Sequence, residues 1–341
     1  MKTKSTTKRV LFLSMLVCVF ACSEKNLSSL SSTIAITDTE ESVLESVAFI
    51  SRIDTLPLNS RGEDFSSVQA ACVTDSSIYI IDKMGAIGCF NIKTGHLEKK
   101  IRKVGHGNDE YVNPVSICED DGYIYVLDFQ GCAVLNYDLE LNYKSRTKLE
   151  FPALDFTKTP NGFLFYNMNA SGKLRRIVYT DMNGQIINSY LSKEKENNVM
   201  LADKMFCKDE GDVYFSDPSN DCLYKWKNED LTPLYQIEIP KKKSNSHIKG
   251  KETERFDGQY LRSFVTNNQV ISLFIHGGMV LANSYKRDLG DSYSGRVKTN
   301  IPYPFFPITI HKGCLYGLYE IMGVNDVDDA SIMLVKYYIN K

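Results

Sequence analysis

Three aspartates hold the same position in a repeated sequence motif, and their carboxylates are the first groups that could do chemistry. Asp82, Asp128 and Asp217 each end a motif of the form apolar, Tyr, apolar, variable, Asp. Carboxylates that converge from several repeats could surround a cation. Alternatively, each carboxylate accepts backbone N–H groups of the following turn, as Asp commonly does at the end of a strand. We favour this structural interpretation.

The segment that contains Gly105, Gly107, Glu110 and Tyr111 is a candidate binding loop. It could contact a ligand near the mouth of a ring of repeats. In the alternative, its glycines let the chain cross from one repeat to the next, and Glu110 and Tyr111 hold the crossing in place. A phosphate-binding loop is not predicted, because the segment lacks a final glycine, a following lysine and a strand–helix context.

Tyr303, Phe305 and Phe306 form a candidate aromatic contact, in a segment (residues 301–307) that also contains three prolines. Proline lacks a backbone N–H and does not fit within a central strand. Exposed rings at this place would contact a peptide or sugar rings, whereas rings packed beneath the fold would belong to the core. The sequence leaves both alternatives open.

Sequence motifs for catalysis and for tightly bound metal are absent from the chain. It contains no H-E-x-x-H, no G-x-S-x-G and no EF-hand loop. No C-x-x-C occurs, and no cysteine–histidine grouping has zinc spacing. We therefore predict no cofactor and no metal, and we assign no catalytic residue. Because repeats can assemble a site from distant segments, these observations do not exclude an enzyme.

The N terminus has the three-part layout of an export signal. Residues 1–9 carry four positive charges, Val10–Ala21 is a nearly unbroken apolar run, and Ala21 directly precedes Cys22. The run is shorter than the roughly 20 apolar residues that span a bilayer. The sequence therefore predicts that residues 1–21 are removed and that the mature protein leaves the cytoplasm.

The segment Val19–Cys22 resembles the lipobox of bacterial lipoproteins, in which a cysteine after a small residue is acylated before cleavage. Phe20 departs from the small residue preferred at its position. The resemblance implies attachment to a membrane through an N-terminal lipid on Cys22, and Ser23 favours the outer membrane of a Gram-negative cell. The alternative is ordinary signal cleavage, with Cys22 as an unmodified thiol.

Composition limits the possible partners. Without residues 1–21, which contain four basic residues and no acidic one, the formal net charge changes from −2 to −6. An acidic protein is not attracted to the phosphates of nucleic acid, so nucleic acid is not an expected partner. Of the nine cysteines, Cys72 and Cys118 each lie six residues before a copy of the repeated motif. We predict that these two residues pack in the interior, which requires neither a metal nor a disulfide.

Six copies of the repeated motif, three of them weak, divide most of the chain into similar units. The copies begin at Ile78, Ile124, Phe163, Val213, Val270 and Cys314. Their starts are separated by 46, 39, 50, 57 and 44 residues, a loose period in the range of propeller blades. Each copy is followed by further short runs rich in Ile, Val, Tyr and Phe, and almost no stretch has the period of a helix.

These patterns predict an all-β fold, a six-bladed β-propeller of four-stranded antiparallel blades over residues 46–341. Residues 22–45 are predicted to be a tether. The ring must be closed by joining its last blade to its first element. We predict that Val47–Ile53 adds a strand to the final blade beside Ser331–Ile339.

The blade pattern, together with Ile101–Tyr111 and the Val-Ser-Ile that follows at residues 115–117, resembles the six-bladed β-propeller lipoproteins related to NHL-repeat proteins. In that family a segment of the form Gly-x-Gly-Pro-Gly-Glu-Tyr joins one blade to the next. Gly105, Gly107, Glu110 and Tyr111 match it, whereas Asn-Asp replaces Pro-Gly at residues 108–109. The resemblance implies a fold and an envelope location, and adds little about chemistry.

Two functions follow as hypotheses. The first, which we favour, is an outer-membrane-tethered binding or scaffold module that holds a protein, a peptide or a glycan. A single tryptophan, Trp226, argues against a dedicated sugar platform. The second is a metal-dependent lactonase-like or lyase-like hydrolase, with a divalent ion in the channel that polarises a substrate carbonyl.

Overall fold

The computed structural model describes residues 32–36, 43–167, 174–192, 204–240, 258–321 and 332–340, and these residues form 26 β-strands and one turn of 3₁₀ helix at Ser46–Ala48. The signal segment and Cys22 lie outside the described residues. No helix in the described part of the chain is long and apolar enough to cross a membrane. Three strands come before the blades: β1 (Thr33–Ala35), β2 (Val43–Glu45) and β3 (Ile50–Leu58).

The remaining 23 strands form six antiparallel blades: blades 1 to 5 each contain four consecutive strands, and blade 6 contains three strands that β3 completes to four. Blade 1 contains β4 (Val68–Val73), β5 (Ser77–Asp82), β6 (Ile87–Asn91) and β7 (Leu97–Ile101). Blade 2 contains β8 (Pro114–Asp120), β9 (Tyr123–Asp128), β10 (Ala133–Asp138) and β11 (Tyr143–Lys148). Blade 3 contains β12 (Asp155–Thr159), β13 (Gly162–Tyr166), β14 (Ile177–Asp181) and β15 (Ile186–Tyr190).

Blade 4 contains β16 (Phe206–Asp209), β17 (Asp212–Asp217), β18 (Cys222–Lys227) and β19 (Asp230–Glu238). Blade 5 contains β20 (Gln259–Val265), β21 (Gln269–His276), β22 (Met279–Lys286) and β23 (Ser292–Lys298). Blade 6 contains β24 (Thr309–His311), β25 (Cys314–Glu320), β26 (Ile332–Ile339) and, as its outermost strand, β3. The predicted six-bladed β-propeller is confirmed.

The repeated motif forms the second strand of each blade. This strand has a hydrogen-bonded neighbour on both sides, and each of its two faces packs against an adjacent blade. Both rows of side chains are therefore removed from water, and β5 is buried along its whole length. Double burial explains why the motif is a continuous apolar run rather than an alternation of apolar and polar residues.

Pairing between the two ends of the chain closes the ring, as predicted. β3 runs antiparallel to β26, with Arg52 opposite Tyr338 and Leu58 opposite Ile332. The strand begins at Ile50 rather than Val47, because the three residues at 46–48 form the 3₁₀ turn. Pro57 is accommodated because β3 is an edge strand, where a missing N–H leaves no ladder bond unmade.

Two short strands before β3 extend blades 4 and 5. β1 pairs in parallel with β19, and β2 pairs in parallel with β23. The central residues of both strands, Ile34 and Leu44, are buried in the core. Both strands lie in the range assigned to the tether, so the described fold begins before residue 46. We call β1, β2 and β3 the N-terminal belt.

The predicted burial of Cys72 and Cys118 is confirmed, and Cys207 repeats it in blade 4. Each of the three stands opposite the tyrosine of the repeated motif in the neighbouring strand, so their positions are equivalent. Burial raises the pKa of Cys118 to about 11 and that of Cys207 to about 12. These thiols are uncharged at neutral pH and behave as small apolar side chains.

Candidate functional site

A channel passes through the centre of the ring, lined by the first strands of the blades (β4, β8, β12, β16, β20 and β24). Two cavities open from it, of about 490 Å³ and about 370 Å³, and Lys204 lines both. The larger cavity opens where the first strands turn into the second strands, and we call it the turn mouth. The smaller cavity opens where the connections between blades enter the first strands, and we call it the loop mouth.

The turn mouth is lined by charged residues that bind one another. The carboxylate of Asp120 accepts a hydrogen bond from Lys208 and lies 3.6 Å from the Nζ of Lys158. Asp209 accepts the backbone N–H of Gly313 at 3.1 Å, which connects blade 4 to blade 6. Burial raises the pKa of Asp209. A ligand at this end of the channel would have to displace these intramolecular partners.

The loop mouth has an aromatic wall that is held by hydrogen bonds. The rings of Tyr303 and Tyr319 stack with centroids 5.1 Å apart. The Tyr319 hydroxyl accepts the backbone N–H of Phe306 at 3.0 Å and lies 2.8 Å from the Tyr337 hydroxyl. Burial raises the pKa of Tyr319, so the hydroxyl stays protonated at neutral pH. The wall is therefore formed by internal contacts before any ligand arrives.

Arg262 lies at the base of this wall, on β20, and is only 3% exposed. Its guanidinium carbon lies 4.9 Å from the centre of the Phe306 ring and 5.5 Å from that of Phe264. The faces of the two rings stabilise the cation. Burial of a charge lowers the stability of a fold, so the fold holds this positive charge at a cost in free energy.

Lys204 lies between the two mouths, close to a buried carboxylate. Its Nζ donates to the backbone carbonyl of Ile117 at 2.9 Å. Asp155 accepts the Ser116 hydroxyl at 2.6 Å and two backbone N–H groups, those of residues 205 and 206, at 2.6 and 3.0 Å. Burial raises the pKa of Asp155, and the charge of Lys204 acts in the opposite direction. These bonds join blades 2, 3 and 4 around the lysine.

The aspartates of the repeated motif bind backbone within the fold, as the structural interpretation predicted. The Oδ1 of Asp82 accepts the N–H groups of Met84 at 2.9 Å and Ala86 at 2.7 Å, in the turn that follows. Its Oδ2 accepts the N–H of Ser66 at 2.9 Å. Among the described residues, no group of three or more His, Cys, Asp or Glu side chains is placed to hold a metal ion.

Asp128 and Asp217 each bind an arginine side chain in addition to backbone N–H groups. Asp128 accepts backbone N–H groups from the following turn and from the segment before β8, and its Oδ2 lies 3.5 Å from Arg146. Asp217 forms a buried two-point ion pair with Arg176, at 2.6 and 2.9 Å. Since Arg176 precedes β14, this pair connects blade 3 to blade 4.

The residues of the candidate binding loop bind partners within the same segment of chain. The backbone N–H of Gly107 donates to Glu110 at 2.8 Å, and a Cβ on Gly105 would overlap the same carboxylate. Tyr111 is fully buried, and its hydroxyl accepts the N–H of Lys103 at 3.2 Å. None of these residues lines the cavity of the loop mouth. These contacts are those expected of a crossing between blades, and a ligand role for the loop stays a prediction.

The three residues of the candidate aromatic contact differ in their surroundings: one belongs to the core and two line a cavity. Phe305 is core, since its ring packs edge-on against Phe49 at 5.5 Å and against Tyr337 at 5.0 Å. Tyr303 and Phe306 line the cavity of the loop mouth. Within this proline-rich segment, Phe305 thus points to the interior, whereas Tyr303, Pro304 and Phe306 line the cavity.

Sequence reasoning missed the two cations of the loop mouth, Lys204 and Arg262. Arg262 could have been found, because it is the one charged residue in the strand Gln259–Val265, and a buried arginine is rare. Lys204 carries no comparable signal. It lies two residues before the start of β16 and reaches the channel only because the ring places the starts of all six first strands around one axis.

Comparisons with known proteins bear on the whole ring. The model of the family described as "Domain of unknown function (DUF4934)" matches residues 31–332. None of the curated proteins matches the chain. Many solved structures are similar in fold, and three of them are described below.

The "Putative exported protein" of Bacteroides fragilis gives a TM-score of 0.69 at 15% identity, covering 92% of this chain and 100% of that one. The structure of U3-55K gives a TM-score of 0.51 at 11% sequence identity, and the match covers 83% of this chain and 98% of that one. A structural genomics protein of unknown function from Bacteroides thetaiotaomicron gives a TM-score of 0.51 at 10% sequence identity. The match covers 85% of this chain and 76% of that one. At these identities the likeness concerns the fold alone.

Proposed function

We propose that this chain, which belongs to the DUF4934 family, is an exported binding module. Its six-bladed propeller serves as a rigid scaffold, and the loop mouth holds a protein, peptide or glycan ligand. The loop mouth is the end of the channel where an aromatic wall and a buried cation meet at one cavity.

The observation that carries this proposal is the composition of that cavity. Ligand sites are typically concave, mostly apolar, and furnished with a few polar groups in fixed positions. The loop mouth combines about 370 Å³ of open volume, the rings of Tyr303, Phe306 and Tyr319, and the cation of Arg262. The turn mouth is larger, but its charges already bind one another.

The cellular location is part of the same proposal. The export signal at residues 1–21 supports passage out of the cytoplasm, and the similar Bacteroides fragilis protein is itself named as exported. We propose that a lipid on Cys22 attaches the mature chain to the outer membrane. Cys22→Ser should move the protein from the membrane fraction to the soluble fraction and abolish labelling with a palmitate analogue. Unchanged membrane association would refute the lipid anchor.

Binding is tested by capture from an envelope extract with three immobilised proteins. We expect the wild type to retain a partner that the Tyr303→Ala variant loses, because that ring forms the outer part of the wall. Tyr293→Ala is the matched control, since Tyr293 is an exposed tyrosine on the outer strand of blade 5. Equal capture by all three proteins would place the binding surface away from the loop mouth.

The alternative function, a metal-dependent hydrolase, can be tested directly. Elemental analysis of the purified protein would favour that alternative if it found stoichiometric Ca²⁺ or Zn²⁺.

A further inference from the structure

The side chains around the loop mouth restrict the chemistry of its ligand. Half of the fourteen residues that line the cavity have no polar side-chain atom: Val68, Ala70, Ala71, Pro304, Phe306, Ile308 and Leu318. A sugar ring placed against these residues would leave hydroxyl groups without hydrogen-bond partners, which is costly. The single tryptophan is also elsewhere, packed against Tyr179 and Tyr190 between blades 3 and 4. An apolar group fits this wall better than a glycan does.

Several polar groups of the cavity are already occupied. The Ser116 hydroxyl donates to Asp155, and the Tyr319 hydroxyl is bound by Phe306 and Tyr337. Gln69 lies on the inner strand of blade 1, and Glu320 is exposed at the rim. The charges at the base of the cavity are the cations of Lys204 and Arg262.

Lys204 has capacity for an acceptor from outside the fold. A lysine ammonium has three N–H donors, and one of them binds the Ile117 carbonyl. In the described ranges, no carboxylate lies within ion-pair distance of its Nζ. The nearby Asp155 instead accepts three other donors. An anionic group that entered the base of the cavity would therefore meet unused donors on a positive charge.

We infer that the loop mouth binds a carboxylate carried on an apolar body, with Lys204 contacting the carboxylate and the aromatic wall contacting the body. This inference rests on the proposed function. A phosphate is a poorer match, because its charge of nearly two and its three acceptor oxygens require more donors than these walls provide. The carboxylate has two possible sources: the C terminus of a peptide that ends in an apolar residue, or a free apolar acid.

The probes are a fluorescently labelled pentapeptide that ends in phenylalanine, with either a free or an amidated C terminus, and unlabelled 3-phenylpropanoate as competitor. Fluorescence polarisation should show that the free acid binds the wild type at least about tenfold more tightly than the amide, because a charge-assisted hydrogen bond is lost on amidation. Competition by 3-phenylpropanoate identifies a free acid as a sufficient ligand. Absence of competition assigns the site to peptide C termini.

Lys204→Met should bind the acid and the amide equally, whereas Lys204→Arg should keep the preference for the acid. Lys208→Met is the matched control, since it removes a channel lysine at the opposite mouth, and it too should keep the preference. Melting curves of each variant separate a local change in binding from a loss of folding. A folded Lys204→Met protein that still prefers the acid by tenfold would overturn the role of Lys204.

Failure of this inference is distinguishable from failure of the proposed function. Equal binding of acid and amide to the wild type, sensitive to Tyr303→Ala, would leave the loop mouth as a binding site but overturn the carboxylate. Binding that Tyr303→Ala does not change would overturn the loop mouth itself. If neither peptide nor 3-phenylpropanoate binds at millimolar concentration while a uronic-acid disaccharide or the captured envelope partner does, the ligand class is wrong.

Discussion

Asp82 illustrates how single side chains organise this ring. Its two carboxylate oxygens accept three backbone N–H groups, from the turn after β5 and from the segment before β4. One side chain thereby fixes the entry to the blade and its second turn together. Such a position needs an acceptor with two oxygens and a short stem, which explains the recurrence of Asp at the end of the motif.

We expect Asp82→Ala to lower the free energy of unfolding by about 2–4 kcal/mol, because three backbone donors lose a charged acceptor. Urea denaturation measures the change. Asp288→Ala is the control, since Asp288 is exposed, and it should shift the free energy by less than about 0.5 kcal/mol. Equal effects of the two substitutions would contradict the role given to the carboxylate.

Asp155 should make stability depend on pH. Burial raises its pKa above the unfolded value of about 3.9, so the folded protein holds this proton more tightly than the unfolded chain. The contribution of Asp155 to stability is then largest at low pH and falls as the pH rises through the folded pKa. Relative to Asp155→Asn, the wild type should lose stability as the pH rises from about 4 through the folded pKa. Urea midpoints measured across this range would contradict the assignment if the difference grew instead.

At the scale of strands, the sequence pattern predicted those strands that a repeated motif or a long apolar run marks. The second strands were found because burial on both faces gives continuous apolar runs, and β3 was found because Val47–Ile53 belongs to no repeat. β1 and β2 were missed because a three-residue strand that adds to an existing edge needs only one buried side chain, Ile34 or Leu44. Such a signal is too weak to stand out in a polar segment rich in Ser and Thr.

The strands of the N-terminal belt should contribute unequally to the stability of the ring. Removing the chain through Ile36 deletes β1 and exposes an edge of blade 4, which we expect to lower the melting temperature while unfolding stays cooperative. Removing the chain through Ile53, so that it begins at Asp54, deletes half of β3 and should abolish cooperative unfolding. Calorimetry of the two shortened proteins tests this difference. An unchanged transition in the second protein would refute closure by β3.

Across the whole molecule, polar bonds between blades complement the apolar core. Arg176 in blade 3 binds Asp217 in blade 4, Asp209 in blade 4 binds a backbone N–H of blade 6, and Asp75 in blade 1 binds Lys312 in blade 6. The candidate site depends on this assembly, because Lys204 and Arg262 come from different blades. Their meeting could not be predicted from the sequence, since no local spacing relates the residues.

Pairing of β3 with β26 joins residues almost a full chain length apart, so ring closure should limit the folding rate. A permuted chain that begins at Ser60 and continues from Asn340 through a short flexible linker into residues 49–59 would make this pairing a local hairpin. We expect faster refolding than in a linear chain of residues 49–340, with a similar melting temperature. Stopped-flow refolding compares the two, and equal rates would show that closure is not the limiting step.

The closing pair also relates the fold to the order of synthesis. β3 leaves the ribosome among the first segments, while its partner β26 ends at the penultimate described residue of the chain. Until that last strand has emerged, blade 6 lacks an inner neighbour for β3, and the ring stays open. For the export proposed above, this order means that the ring would close only after the last strand had crossed the membrane.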